Sequence, residues 1–213
     1  MDTATRGSNH MTPEFDDLRF VVVDVEGNGQ PTPEVVEIAL VHLDGLTIVG
    51  EPHTWLIKPS QPITQLVTKK VHGITNADVA QAPSIEELAD ELLDSLGDRI
   101  PIAHNASVER KVLGVQLPEW QPPMILDTMR LAKKVWPGLG GYGLDPLLAH
   151  AQIVLADERG KRHRAGFDAY ATARLFAVLA EATDARDTLF DWASLPGSTL
   201  PSRPLISQEG TLW

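Results

Sequence analysis

Phe20-Val-Val-Val-Asp24-Val-Glu26-Gly27 is an apolar run that ends in two carboxylates one residue apart, with glycine directly after. Side chains of a strand alternate between its faces, so positions 24 and 26 project from the same one and bring two hard oxygen ligands toward one point. An Asp-x-Glu at a strand end is also compatible with a solvated turn. The metal reading therefore rests on whether downstream residues can complete the site.

The surrounding composition narrows the chemistry. A chain of 213 residues with 43% hydrophobic content has material for one α/β domain with a real core. It contains no cysteine, which excludes disulfides, zinc–thiolate sites and a cysteine nucleophile, and fits a reducing cytoplasm. Any metal must sit on oxygen or imidazole. There is no apolar run of about 18 residues and no export leader, so the expectation is a soluble, cytoplasmic chain without membrane association. A net charge of −11 argues against coating long nucleic acid by counterion release, and shifts weight toward short or small nucleotide substrates. It is compatible with a cation-dependent site, where a bound metal reverses the local sign.

Residues 1–11 are polar and aperiodic, with a second methionine after Gly-Ser-Asn-His10, and read as a leader outside the fold. His10 is set aside with them. Leu18–Val25 and Val35–Leu43 read as strands and Trp55–Ile57 lies in a third, separated by turns at Gly27–Pro33 and Asp44–Gly45, which suggests an antiparallel meander. Thr68-Lys-Lys-Val-His-Gly-Ile-Thr75 reads as a short helix closed by Gly73. Ser84 with Glu87 forms a capping-box pattern opening a helix to about Gly97, with Ile85, Leu88, Ala89, Leu92, Leu93 and Leu96 facing inward.

Arg99–Ala103 reads as a fourth strand. It passes through His104-Asn105 into a short helix with Val108, Val112 and Leu113 on its apolar side. Met124–Leu126 is a fifth strand, and Asp127-Thr128 starts a helix that stops before Pro137. Leu144–His150 is helical. Ala165–Glu181 is the longest helix, with Phe167, Tyr170, Ala171, Leu175, Val178 and Leu179 on its buried stripe. Residues 12–183 thus form the domain, and 184–213, with Pro196, Pro201 and Pro204, read as an extended tail. Strands first, then alternating helices and strands, give an α/β fold with a mixed five-stranded sheet flanked by α-helices.

Acids stand where strands meet loops or helices at Asp24/Glu26, Glu109, Asp127 and Asp168, and such ends are where open α/β sheets gather ligands. In His163-Arg-Ala-Gly-Phe-Asp168 a histidine and an aspartate approach the same region from one connector. Two divalent cations about 3.5–4 Å apart can hold the attacking and leaving oxygens of a phosphoryl transfer on carboxylate ligands. A nearby imidazole can take the proton of the attacking water. Asp127 is also a natural N-cap, and Glu109 is also compatible with an exposed helix acid beside Arg110 and Lys111. Glu37 reads as structural and Asp145 as a helix-start residue. Arg159, Lys161, Arg162 and Arg164 form a basic cluster that either draws in an anionic substrate or is a solvated loop. Lys69 and Lys70 carry the same two readings.

The segments Val23-Asp24-Val25-Glu26, Ala103-His104-Asn105-Ala106-Ser107-Val108-Glu109 and His163-Arg164-Ala165-Gly166-Phe167-Asp168-Ala169 resemble, in order, the three motifs of the DEDDh family of 3′–5′ exonucleases, on an RNase H-like fold. Val71-His72-Gly73-Ile74-Thr75, Asp127–Gly138 and Gly143-Leu144-Asp145-Pro-Leu147 resemble its proofreading branch in bacterial DNA polymerase III. The resemblance covers about Arg19 to Ala180 and implies release of nucleoside 5′-monophosphates from a 3′ end. It implies two ions, Mg²⁺ or Mn²⁺, on Asp24, Glu26, Glu109 and Asp168, with His163 as general base. Gly27, Asn28, His72, His104 and Asn105 become candidate substrate contacts. The implied partner is single-stranded or 3′-end nucleic acid, or a short nucleotide; the same residues also suit a phosphoesterase acting on a small nucleotide or phosphorylated nucleoside, or a catalytically reduced nucleotide-binding module in which Glu109 has spoiled the second metal site. Two departures stand out. Glu109 replaces the family's usual aspartate, and Gly27-Asn28-Gly29-Gln30 replaces the usual threonine-containing text after Glu26.

Overall fold

The computed structural model describes residues 15–155 and 162–199. The expected leader 1–11 lies outside the described residues, as do Arg159, Lys161 and positions 200–213. The strands are β1 (Arg19–Gly27), β2 (Val35–Asp44), β3 (Thr47–Leu56), β4 (Ile100–Ala103) and β5 (Leu126–Asp127). Their order in the sheet is β3-β2-β1-β4-β5, with β1–β2 and β2–β3 antiparallel and β1–β4 and β4–β5 parallel. The meander and the mixed five-stranded sheet are as expected, and β1 is its centre.

Alternation along β1 divides the core. Phe20 and Val22 face one layer with Ala39, Val41 and Leu43 of β2, and Val21 and Val23 face the other with Ile38 and Leu40. The first layer is closed by α4 (Thr128–Val135), α5 (Leu144–His150), α6 (Ala165–Glu181) and α7 (Arg186–Ala193). Within it Phe20 meets Phe176 edge to face, ring centroids 5.1 Å apart. The second layer is closed by α2 (Ala89–Leu96) and α3 (Ser107–Gln116). By the same alternation Asp24 and Glu26 continue the Phe20/Val22 face, toward α6.

Several expectations need correction. The short helix is α1 (Gln65–Lys70), which ends three residues before Gly73; that glycine, at φ 77°, makes the turn after it. The capping box forms, with Ser84 N–H donating to Glu87 at 2.7 Å and Glu87 N–H to Ser84 Oγ at 3.3 Å, but regular helix starts only at Ala89. Val108 is exposed. On α6 the deeply buried residues include Phe176, while Phe167, Tyr170 and Val178 are half-buried. Residues from 184 onward are not all tail. In α7, Leu189, Phe190 and Ala193 pack into the core, and Ser194 bridges to Leu126 of β5. Arg186 begins that helix immediately after Ala185, with Leu189, Phe190 and Ala193 at a spacing that carries the apolar face.

Candidate metal centre

Asp24, Glu26 and Asp168 converge: one carboxylate oxygen of each lies within 4.8 Å of the others. The first two hang from the end of the central strand, and Asp168 sits in the first turn of α6, which packs on the same face. Glu109 reaches the neighbourhood from the first turn of α3 and is buried rather than exposed on its helix. Its Oε2 is sealed from solvent and has no hydrogen-bond partner among the described residues.

This clustering of acids shows in their protonation. Burial, reinforced by Glu109 and Glu26, holds the Asp24 carboxyl well above the usual carboxylate range, against the opposing pull of Arg162. Burial and then Glu37 raise Glu26 to about 7, tempered by Arg164 and Arg162. Burial raises Glu109 to about 8, with Asp127 and Glu26 acting in the same direction. Carboxylates concentrated in this way repel one another until a cation joins them.

Positive charge is drawn to the site from the connector before α6. Arg162 pairs with both Asp145 and Asp168. Arg164 forks onto Glu37, its Nε–H 3.1 and 3.0 Å from the two carboxylate oxygens. The two described members of the basic cluster are therefore each paired with an acid of the site, Arg162 with Asp168 and Arg164 with Glu37. The donor set is all hard oxygen, one buried oxygen lacks a partner and the site attracts a guanidinium. These residues fit a divalent cation.

His163 lies beside the cluster, exposed, with φ 61°, and its backbone N–H donates to Asp168 Oδ2 at 3.1 Å. Asp127 resolves as a cap. Its Oδ1 accepts from the N–H groups of Met129 at 2.8 Å, Arg130 at 3.3 Å and Asn105 at 3.2 Å, which ties the start of α4 to the motif loop.

The candidate substrate contacts divide. Asn28 is fully buried: Oδ1 accepts from Gln30 and Glu34 N–H, both at 3.1 Å, and its amide donates to Gln61 O at 3.4 Å. It holds the β1–β2 loop and presents nothing to a substrate, which corrects the expectation. His72 is also buried. Nδ1 accepts from Ile74 N–H at 3.0 Å, so Nε2 carries the proton it shares with Gly27 O at 3.1 Å, and burial lowers its pKa. A neutral histidine thus ties α1's following turn to the end of β1. Gly27, whose carbonyl is committed to that bond, is half-buried at the site's edge. His104 packs against Thr128, Nδ1 to Oγ1 2.8 Å, and burial lowers its pKa. Asn105, at φ 65°, is exposed beside it.

Glu37 is structural, as its place in the second strand suggests, but its partners, Arg164 and the Ala165 N–H, are not apparent from the sequence. Only the need for a partner is legible: a lone acid inside Val35-Val-Glu37-Ile-Ala-Leu-Val41 has to be partnered if that strand is buried.

A mixed sheet bearing three convergent carboxylates at the end of its central strand defines an α/β protein with a candidate divalent-cation centre. Comparison with known proteins narrows this. A family model described as exonuclease matches residues 21–176, and the chain belongs to that family. It is 33% identical over 171 residues to the DNA polymerase III subunit epsilon of Aquifex aeolicus, covering 78% of this chain and 82% of that one. It is 37% identical over 177 residues to the PolC-type DNA polymerase III of Thermotoga maritima, of which it spans 12%. Among solved structures it is similar to exonuclease X in complex with 5′ overhanging duplex DNA. That match has a TM-score of 0.69 and 31% identity, over 81% of this chain and 98% of the other.

Proposed function

We propose that this exonuclease is a divalent-cation-dependent enzyme that removes nucleoside 5′-monophosphates from the 3′ end of nucleic acid. The observation that carries the reading is the convergence of Asp24, Glu26 and Asp168 on one point beside His163. Asp24, Glu26 and Asp168 would hold Mg²⁺ or Mn²⁺, with Glu109 supplying a further oxygen to a second ion. When bound, such ions neutralise phosphate charge and acidify water. His163, exposed at the mouth, takes the proton of the attacking water through its imidazole and returns it to solvent. Asp168 acts twice, as a cation ligand and as the acceptor of the His163 backbone N–H.

The similarity to a DNA-bound exonuclease supports a nucleic-acid 3′ end as substrate, and the net charge of −11 supports a short contact with it. With Asn28 buried, the usual threonine contact after Glu26 has no counterpart there, so binding of the terminal nucleotide falls to other groups on the rim. Glu109, a methylene longer than the usual aspartate, favours Mn²⁺ over Mg²⁺, whose octahedral shell is stricter.

The experiment is a Mg²⁺/Mn²⁺ activity screen on 5′-labelled single-stranded DNA and RNA and on mononucleotide esters, for the parent chain and His163→Ala. The expected result is stepwise shortening from the 3′ end, abolished by His163→Ala with cation binding intact. A near-normal rate in that variant, or turnover confined to mononucleotides, overturns the reading.

A further inference from the structure

His163 owes its place to its backbone. A φ of 61° is an uncommon conformation for a residue with a side chain, and it persists where neighbouring contacts over-determine it. On one side the His163 N–H is bonded to Asp168. On the other, the next two residues are fastened to Glu37: Arg164 forks onto its carboxylate, and Ala165 N–H donates to its Oε2 at 2.8 Å. Glu37 has a side chain only 1% exposed, and it stands directly opposite Glu26 in the β1–β2 register. Gly166 completes the arrangement, because a Cβ there would lie 2.9 Å from Thr54 Oγ1, so the first turn of α6 rests against β3 at close range.

We infer that Glu37 and Arg164 form a positioning clamp that sets the distance between His163 and the Asp24, Glu26 and Asp168 carboxylates. The inference rests on His163 being the base of the proposed reaction. A planar guanidinium bonded through two oxygens fixes direction as well as distance, which a single lysine ammonium does not. Glu37 acts through Arg164 and the backbone of α6, so it positions the base without touching the substrate. The clamp ties the strand that carries the ligands to the connector that carries the base, across 127 residues of sequence.

The two partners are unequal as probes. Without Arg164, Glu37 is left charged and enclosed; without the Glu37 charge, Arg164, whose side chain is 43% exposed, reaches water. Glu37→Gln is therefore the gentler change. The test uses the full chain with Mn²⁺ and 5′-labelled single-stranded DNA, comparing Glu37→Gln, Arg164→Gln, the double variant, Arg164→Lys and His163→Ala. A base displaced by about 1 Å costs roughly 100-fold, so Glu37→Gln is expected to lower kcat about 30- to 100-fold. KM and the Mn²⁺ affinity measured by calorimetry should stay within about twofold of the parent. The double variant should be no slower than the slower single one, since the pair acts as a unit. Arg164→Lys, which keeps the charge and loses the fork, should fall between.

A second readout needs no turnover. In chelated protein, NMR relaxation of the His163 ring, assigned by its loss in His163→Ala, should report a more mobile ring in Glu37→Gln. Should Glu37→Gln fail to fold, Arg164→Lys carries both comparisons. The clamp is refuted by kcat within about threefold of the parent, by an unchanged ring, or by a loss of rate that follows a loss of Mn²⁺ affinity. A near-normal rate in His163→Ala refutes the base assignment instead, while an inactive His163→Ala beside a normal Glu37→Gln refutes only the clamp.

Discussion

Glu26 and Glu37 stand opposite each other across the β1–β2 ladder, two like charges at a spacing where such pairs destabilise a sheet. Arg164 offsets the Glu37 charge, and Glu26 keeps a carboxyl raised to about 7. In the proposed reading, a cation on Asp24, Glu26 and Asp168 would relieve the repulsion among these acids.

Stability of the chelated protein should accordingly fall as pH rises. Glu26 moves from 4.5 to about 7, Glu109 from 4.5 to about 8, and Asp24 is raised as well. Raised carboxyls mean that the native state binds more protons than the unfolded chain between about pH 4.5 and 8. Their stabilising contribution is complete below that window and is lost through it. Mg²⁺ or Mn²⁺, which needs the deprotonated carboxylates, should restore progressively more as pH increases. Thermal melts across this range with and without chelator test the claim; a chelated Tm that climbs from pH 5 to 8 would sink it.

Asn28 is expected to matter for folding and not for substrate affinity. Asn28→Ala orphans the N–H groups of Gln30 and Glu34 inside the β1–β2 loop, which should cost about 2 kcal/mol by denaturant titration. KM of the folded variant should remain within about twofold of the parent, because small shifts of an intact loop leave uniform binding unchanged. A large rise in KM without loss of stability would return Asn28 to the substrate.

The local patterns were legible and the long-range pairings were not. The bounds of α5 and α6 follow from periodicity and flanking signals, and the shared face of Asp24 and Glu26 follows from strand alternation. The burial of Asn28 and His72 and the partner of Glu37 are hidden in the sequence for one physical reason. Each of the three is a polar residue with at least one partner distant in the chain, Gln61 for Asn28, Gly27 for His72 and Arg164 for Glu37, beside the local bonds of Asn28 and His72, and burial there depends on tertiary closure. α7 is masked in the sequence by the prolines beyond it, while its two aromatics, Phe190 and Trp192, pack into the first core layer beside α4.

Asp127 should behave as a cap with no part in cation binding. Asp127→Ala is expected to lose about 1–2 kcal/mol, near the upper end for a cap because the Asn105 N–H is released together with those of Met129 and Arg130. Asp127→Asn keeps an acceptor oxygen and should recover most of that. Calorimetric titration with Mn²⁺ should give the same number of ions in both variants as in the parent. Loss of an ion in Asp127→Asn, with the melt unchanged, would make Asp127 a ligand.

Glu109 offers the sharpest separation of stability from function. Its buried Oε2 lacks a partner among the described residues, and burial raises its carboxyl to about 8. Glu109→Gln removes a charge the chelated fold disfavours above that pH, so it should stabilise the chelated protein by about 1 kcal/mol there. The same change deletes a hard oxygen anion from the cation site, and affinity for the more weakly held ion should drop about tenfold or more. Glu109→Asp shortens the arm by a methylene and draws its oxygen back along α3, which should alter the ratio of Mg²⁺- to Mn²⁺-supported rates while leaving the ion count intact. Opposite signs on chelated stability and cation affinity in one variant are the signature of a residue kept for its ligand. If Glu109→Gln instead destabilises the chelated protein at high pH and binds cations as before, Glu109 is a structural acid of α3 and the metal centre consists of Asp24, Glu26 and Asp168 alone.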